Sequence, residues 1–284
     1  MLTQQIPHAT TLSALRTRIK SWRQDGLSVG FVPTMGALHD GHLSLVRLAK
    51  AHCDKVVASV FVNPAQFAEG EDFDSYPRSV IDDSAKLALE KCDLVYLPER
   101  EAMYPDGFAT ELVVKGAAQG LESDNRPHFF HGVATVVCKL FNQVRPDVAV
   151  FGEKDYQQLQ VIRQMVRDLD FGIDIIPAEI VRERDGLAMS SRNAYLSEAD
   201  RVRAAELNKI IFALATELKA GAVLAEALEA ARASAENAFD AVDYLEVRNA
   251  QTLARIDSET VNEPARVLAT VRLGETRLLD NCAI

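Results

Sequence analysis

A chain of 284 residues has enough material for one large or two ordinary domains with substantial cores. Its net charge of −10 argues against a broad nucleic-acid or anionic-membrane surface, which clustered Lys and Arg would have to serve. Four scattered cysteines, Cys53, Cys92, Cys138 and Cys282, suggest neither a disulfide framework nor a zinc ribbon, so reduced thiols are expected.

Residues Met1 to Ser13 lack a basic start followed by an apolar stretch, and no apolar run reaches about 18 residues, so a cytoplasmic protein is expected. The first informative segment is Ser28 to Val32, short and apolar as a buried parallel strand is. After it, Pro33-Thr34-Met35-Gly36-Ala37-Leu38-His39-Asp40-Gly41-His42 forms a loop, and apolar residues then recur at helical spacing from Leu43. A helix start presents unpaired N–H groups and the positive end of a dipole, so a phosphate can settle there, with Gly36 and Gly41 allowing close approach. His39 and His42, three residues apart, fall on one side of the opening turn and can serve one polyphosphate. A zinc site is disfavoured, because no acidic or thiol cluster nearby completes a coordination sphere.

Further β-rich runs at Lys55 to Val62, Leu94 to Leu97, Glu111 to Val114 and Val148 to Phe151 alternate with helical patterns at Ser79 to Lys91, Val133 to Val144 and Tyr156 to Leu169. Such alternation predicts an α/β fold, a Rossmann-like and mostly parallel sheet, in residues 1–180. Ligands in such sheets gather beyond the carboxyl ends of strands, where the loops after Val32, Val62 and Phe151 belong. Past Ile180 the texture changes to a polar turn at Glu183 to Gly186, a helical region from Ser197 to Ala220 and an Ala-rich helix from Leu224 to Phe239. Three strands follow at Val242 to Val247, Ala265 to Val271 and Thr276 to Leu279, so residues 181–284 are expected to form a smaller C-terminal α+β domain closing over the site.

Gly152-Glu153-Lys154-Asp155 lies between a strand and an amphipathic helix. A lysine at the positive end of a helix is locally unfavourable, but beside a triphosphate it neutralises charge, while Asp155 is suited to a magnesium ion bridging phosphate oxygens. Asn63, Gln66 and Gln158 carry neutral amides that read hydroxyl and carboxylate oxygens, or serve as caps and turn partners. Asp82 and Asp83 read as a solvated helix face, with a secondary magnesium contact as the alternative.

These blocks together carry a family resemblance. His39-x-Gly41-His42 resembles the signature of nucleotidyltransferases related to class I aminoacyl-tRNA synthetases, and the run from Pro33 to His42 is similar to that of the pantothenate synthetases. Phe61-Val62-Asn63-Pro64-x-Gln66-Phe67, Phe151 to Leu159 and Asp185 to Asn193 agree in order and spacing across most of the chain. The resemblance implies an AMP-forming ligase that condenses (R)-pantoate with β-alanine through a pantoyl adenylate, releasing pyrophosphate, with ATP as co-substrate, Mg2+, and a homodimer. It implies that His42, His39 and Lys154 act in catalysis. ATP would be met by Met35, Gly36, Ala37, Leu38, His39, Asp40, Gly41, His42, Gly152, Glu153, Lys154, Asp155, Val181, Met189, Ser190, Ser191 and Arg192. Pantoate and β-alanine would be met by Pro33, Thr34, Met35, Asn63, Gln66, Arg126 and Gln158, with Asp155 as the metal residue. Met189-Ser190-Ser191-Arg192 resembles the Lys-Met-Ser-Lys-Ser loop that grips leaving pyrophosphate.

One block departs from the pattern. The family commonly has Arg-Pro-x-His-Phe-x-Gly-Val, whereas Arg126-Pro127-His128-Phe129-Phe130-His131-Gly132-Val133 puts Phe129 at the histidine position. The expectation is that the missing imidazole is dispensable, with His128 or His131 as its replacement otherwise. Two other readings stand beside the ligase: transfer of a nucleotide to a phosphate acceptor, and nucleotide binding without turnover.

Overall fold

The computed structural model describes residues 6–68, 73 and 79–284; residues 1–5 of the amino-terminal segment read above lie outside them. The chain forms two compact units: Met1–Val114 with Arg126–Glu153 and Val161–Glu179, and Lys115–Asn125 with Lys154–Gln160 and Ile180–Ile284.

The first unit is built on β1 (His8–Ala9), α1 (Leu12–Gln24), β2 (Val29–Thr34), α2 (Asp40–His52), β3 (Lys55–Val60), α3 (Val80–Leu89), β4 (Leu94–Tyr96) and α4 (Arg100–Met103). The chain then runs through α5 (Glu122–Asn125), which belongs to the second unit, before α6 (Phe129–Val144), β5 (Val148–Gly152), α7 (Tyr156–Asp168) and β6 (Asp174–Ala178). The strands form one parallel sheet in the order β1-β4-β3-β2-β5-β6. From β2 the order runs outward through β3 and β4 on one side and through β5 and β6 on the other, with β1 added at the edge beside β4, so the topological switch point lies between β2 and β5.

Pro33 shows how that point opens. A proline inside a central strand has no N–H for the ladder. Here β2 pairs with β5 only at Gly30 and Phe31, whereas it pairs with β3 as far as Thr34. Pro33 therefore sits past the last β2–β5 pair, where the missing donor costs little. One face of the sheet packs Val32, Val56, Ala58, Val95, Val148 and Val150 against Leu45, Val46 and Ala49 of α2 and Leu87 of α3, a dry core directly beneath the loops.

Three departures from the sequence reading have physical causes. Glu111 to Val114 is not a strand: the Leu112 N–H donates to the Thr135 hydroxyl of α6 at 2.9 Å and Val113 is exposed. The helical region after Ser197 is two helices, α8 (Glu198–Ala204) and α9 (Glu206–Lys219), meeting at Ala205. The sequence reading also did not single out α1, whose N-cap Thr11 hydroxyl accepts the Ala14 N–H, or the edge strand β6, which tolerates Pro177.

In the second unit α9 and α10 (Leu224–Ala238) cover an antiparallel sheet of β7 (Ala241–Asn249), β8 (Ala265–Leu273) and β9 (Thr276–Ala283). Ala227, Ala231 and Ala235 of α10 are buried against this layer, where small side chains allow close approach, with Leu207, Ile211, Leu214 and Leu218 of α9 beside them. Among the described residues no helix is long and apolar enough to cross a membrane.

Candidate active site

The loop after β2 is held from below by a carboxylate. Gly36 and Ala37 both lie in the left-handed region, at φ 87° and 51°, the second an uncommon conformation for a residue with a side chain. Their turn directs the N–H groups of Ala37 and Leu38 onto the two oxygens of Asp83, at 3.0 and 2.8 Å. Asp83 is 2 % exposed, so the expected solvated helix face is corrected at this residue: its carboxylate is spent on the loop. Lys86, one turn further along α3, donates to the Leu38 carbonyl at 2.6 Å. Asp82 does lie at the surface, bonded to the Ser79 cap. A Cβ on Gly36 would stand 3.0 Å from Asp83 Oδ2 and 3.1 Å from Val60, so the turn needs glycine for both space and conformation.

The histidines then cap α2. His39 is the N-cap, its Nδ1 accepting the Gly41 N–H at 3.1 Å, while His42 Nδ1 accepts the His39 N–H at 3.4 Å. Two imidazoles thus form the reciprocal capping box that Ser and Glu usually make. A backbone N–H can only donate, so in the neutral ring each Nδ1 is the acceptor and each Nε2 carries the proton. The two rings lie 4.2 Å apart between centroids. Capping therefore fixes both the tautomer and the placement of two donors at a helix N-terminus. Asp40, in the same turn, faces solvent and pairs with Arg47 at 3.1 Å.

Beside this turn, the β3 loop carries Asn63 and Gln66 on a 3-10 turn, Pro64–Gln66. Thr34 and Phe61 join the two loops, the Phe61 N–H donating to the Thr34 carbonyl at 3.0 Å. Asn63 is fully engaged: Oδ1 accepts from the Tyr104 hydroxyl at 2.7 Å and the Ala65 N–H at 3.3 Å, and Nδ2 donates to Gln66 Oε1 at 3.0 Å and the Gly132 carbonyl at 3.1 Å. Burial pushes the Tyr104 hydroxyl up to about 12, so it stays a donor at neutral pH. Asn63 occupies the oxygen of the Gln66 amide, and the end it leaves unengaged is Nε2, a donor. A Cβ on Gly132 would lie 2.1 Å from the Ala65 carbonyl, so only glycine lets α6 pack against this turn.

Arg126 donates to the Gln66 carbonyl at 2.8 Å, and its guanidinium lies 4.1 Å over the Phe129 ring. The residue that replaces the family's histidine is thus a platform for an arginine next door. His131 pairs with Glu111 at 3.3 Å, and His128 keeps a buried Nε2 with no hydrogen-bond partner.

Gly152 and Glu153 end a segment of the first unit, whereas Lys154, Asp155, Gln158, Val181, Met189, Ser190, Ser191 and Arg192 belong to the second. Lys154 and Asp155, on the 3-10 turn Glu153–Asp155, stand 3.8 Å apart, with the lysine side chain 22 % and the carboxylate 54 % exposed. Gln157 is buried, donating to the carbonyls of Ala117 and Gly120 at 3.1 Å, whereas Gln158 is only half-buried. Val181 and Met189 face each other across a hairpin, the Met189 N–H donating to the Val181 carbonyl at 3.0 Å. Ser190 caps the 3-10 turn Ser191–Tyr195, its hydroxyl accepting the Arg192 N–H at 3.3 Å. Asp185, bound to Arg201 at 2.6 Å, ties down the hairpin; the hydrogen bond from Arg201 holds its carboxyl below the usual range.

Among the described residues no three His, Cys, Asp or Glu side chains cluster as a metal cage. Magnesium needs less, because it keeps several waters and commonly takes one or two carboxylates plus substrate phosphates. The exposed Asp155 carboxylate fits that requirement.

A parallel sheet that delivers two capping imidazoles to a helix start at its switch point defines a doubly wound α/β protein. The chain belongs to the pantoate-β-alanine ligase family, whose model matches residues 8–283. A pantothenate synthetase of Maricaulis maris is 66 % identical over 283 residues, covering 100 % of this chain and 98 % of its own. One from a Bradyrhizobium strain is 56 % identical, covering 97 % and 98 %. Among solved structures, the pantothenate synthetase of Thermus thermophilus aligns with a TM-score of 0.90 at 43 % identity, over 98 % of this chain and 99 % of that one. A pantoate-β-alanine ligase from Francisella tularensis, complexed with β-γ ATP and β-alanine, aligns at 0.79 and 31 % identity, over 98 % and 97 %.

Proposed function

We propose that this chain condenses (R)-pantoate with β-alanine to give pantothenate, AMP and pyrophosphate. The observation that carries the reading is the imidazole capping box at the switch point of a chain of this family. An amine does not displace oxide from a carboxylate at neutral pH, so the acid is activated first. A pantoate carboxylate oxygen attacks the α-phosphorus of ATP, the bond to the β-phosphate oxygen breaks, and pyrophosphate departs with the electron pair. The β-alanine nitrogen then attacks the acyl carbon of pantoyl adenylate, losing a proton as AMP leaves.

The chain's part is positioning and charge stabilisation. His39 and His42 present Nε2 donors to the transferring phosphoryl group, on the Met35–Leu38 loop and the Asp40–Gly41 turn. In this reading Lys154 neutralises developing charge, beside Gly152 and Glu153, and Val181 with Met189 meets the adenine end. Ser190, Ser191 and Arg192 hold the leaving pyrophosphate. When bound, magnesium neutralises phosphate charge, and Asp155 would hold it. Gln66 Nε2 reads a pantoate oxygen, Asn63 aims that amide, and Pro33, Thr34, Arg126 and Gln158 complete the acid and amine pockets. Four free thiols support a cytoplasmic setting, and a homodimer is the assembly the family resemblance suggests.

An ATP assay with pantoate, alone and with β-alanine, tests the reaction. AMP release that requires the amine supports it. Pyrophosphate release without any need for the amine indicates nucleotide transfer to another acceptor, and no turnover indicates binding alone.

A further inference from the structure

Two segments assigned to ATP above are fastened to neighbouring residues of the last strand, and neither residue belongs to any motif in the sequence. We propose that Asp280 and Asn281 of β9 are positioning residues that register the Lys154 turn against the Val181–Arg192 segment for ATP. The inference rests on the reading that these two segments bind ATP.

Asn281 is 2 % exposed, and its Nδ2 donates to the main-chain carbonyl of Lys154 at 2.8 Å. Its Oδ1 accepts from Arg266 Nε, and the Arg266 guanidinium lies 3.9 Å over the ring of Tyr156, two residues past Lys154. The Tyr156 hydroxyl in turn donates to the Ala250 carbonyl at 2.8 Å, where Gln160 also donates at 3.2 Å. One amide therefore fixes the Lys154 turn directly and, through an arginine, the ring that opens α7.

Asp280, also 2 % exposed, accepts both ends of the Arg182 guanidinium, at 2.7 and 2.9 Å. Arg182 stands next to Val181 at the base of the hairpin that leads into Met189–Arg192, bridged to Ala188, and donates again to the Gly186 carbonyl at 3.0 Å. The two halves are joined: the Asn281 N–H donates to Asp280 Oδ1 at 2.7 Å, and Arg182 donates to the Asn281 carbonyl at 3.3 Å.

A buried carboxylate and a buried amide are poor choices for stability alone, since apolar residues of similar volume serve as well or better. What this pair supplies is a fixed relation between two segments 27 or more positions apart in sequence, Lys154 and Val181 onward. Catalysis by positioned donors is sensitive to such relations, because displacement by about 1 Å can cost on the order of 10²-fold in rate.

The experiment compares the full chain with Asn281→Asp and Asp280→Asn, which preserve shape. The first puts an oxygen against the Lys154 carbonyl while keeping an acceptor for Arg266, and the second removes the charge that holds Arg182. Single-turnover adenylate formation, the KM values for ATP and pantoate, the calorimetric affinity for ATP alone and the thermal midpoint are measured for each. The expected result is a loss of about tenfold or more in adenylation and in ATP affinity, with pantoate KM within about twofold and folded protein at the assay temperature. The proposal is overturned if folded variants keep ATP affinity and adenylation within about twofold of the parent, or if all parameters fall together with the folded fraction, as a purely structural role requires. If the parent makes no amine-dependent AMP the functional reading fails by itself, while calorimetry still decides the network; a parent that binds no ATP overturns both.

Discussion

The turn at His39–His42 and the turn at Glu153–Asp155 both open helices that follow parallel strands, yet they are held in opposite ways. The histidine turn takes its caps from within three residues, and Asp83 and Lys86 of one neighbouring helix hold the loop that leads into it. The Lys154 turn takes its hold from Asn281, 127 positions later in the chain. Local geometry is enough to aim imidazoles, because a capping box is an intrinsic option of any helix start. A lysine at the positive end of a helix is opposed by its own backbone, so it must be held by partners from elsewhere.

Variants can break this contrast at either side. The largest effect is expected from His42→Ala, which removes the donor proposed for the phosphoryl group and half of the capping box: adenylate formation should fall by roughly 10²-fold or more with the fold retained. Rapid-quench measurement of pantoyl adenylate checks it, and a normal burst from the folded variant would take His42 out of the chemistry. Lys154→Ala should lose about 10²-fold in single-turnover adenylation while pantoate binding stays near normal, since the role proposed for its charge is to stabilise departing pyrophosphate. Weakened pantoate binding with an unchanged rate would assign the lysine to the wrong substrate.

Gln66→Ala tests the amide that Asn63 orients. It should weaken pantoate use by about 1–3 kcal/mol, read as a rise in pantoate KM at unchanged ATP KM. Asp83→Asn sharpens the idea that the histidine turn is held locally. It leaves one acceptor for two N–H groups and turns an NH2 toward the other, so adenylation should drop about tenfold without any change in the protein's response to pantoate. The smallest effect is expected at His128. Its buried Nε2 has no partner, and Phe129 already supports Arg126, so His128→Ala should change turnover by less than about tenfold. A loss comparable with that of His42→Ala would restore an imidazole contact at this block.

The sequence by itself determined the parallel α/β unit, because apolar runs of strand length alternating with amphipathic helices have few other ways to bury their faces. It also determined the family and the histidine turn, since His39 and His42 cap one helix start over a spacing that one helical turn dictates. It failed at Glu111 to Val114, where β-rich composition runs along α6 instead of joining a ladder, and at Asp83, which reads as one more acid on a helix face. Only the tertiary structure decided that Asp83 is buried beneath the Gly36–Leu38 loop, that Asn63 sets the direction of the Gln66 amide, and that Phe129 carries Arg126. The residues 115–125 and 154–160 joining the C-terminal unit, with Asp280 and Asn281 fastening Lys154 and Arg182, were equally out of reach. The reason is physical: periodicity and capping are written within a few residues of where they act, whereas a buried polar side chain takes its role from whichever groups the completed fold brings to its atoms.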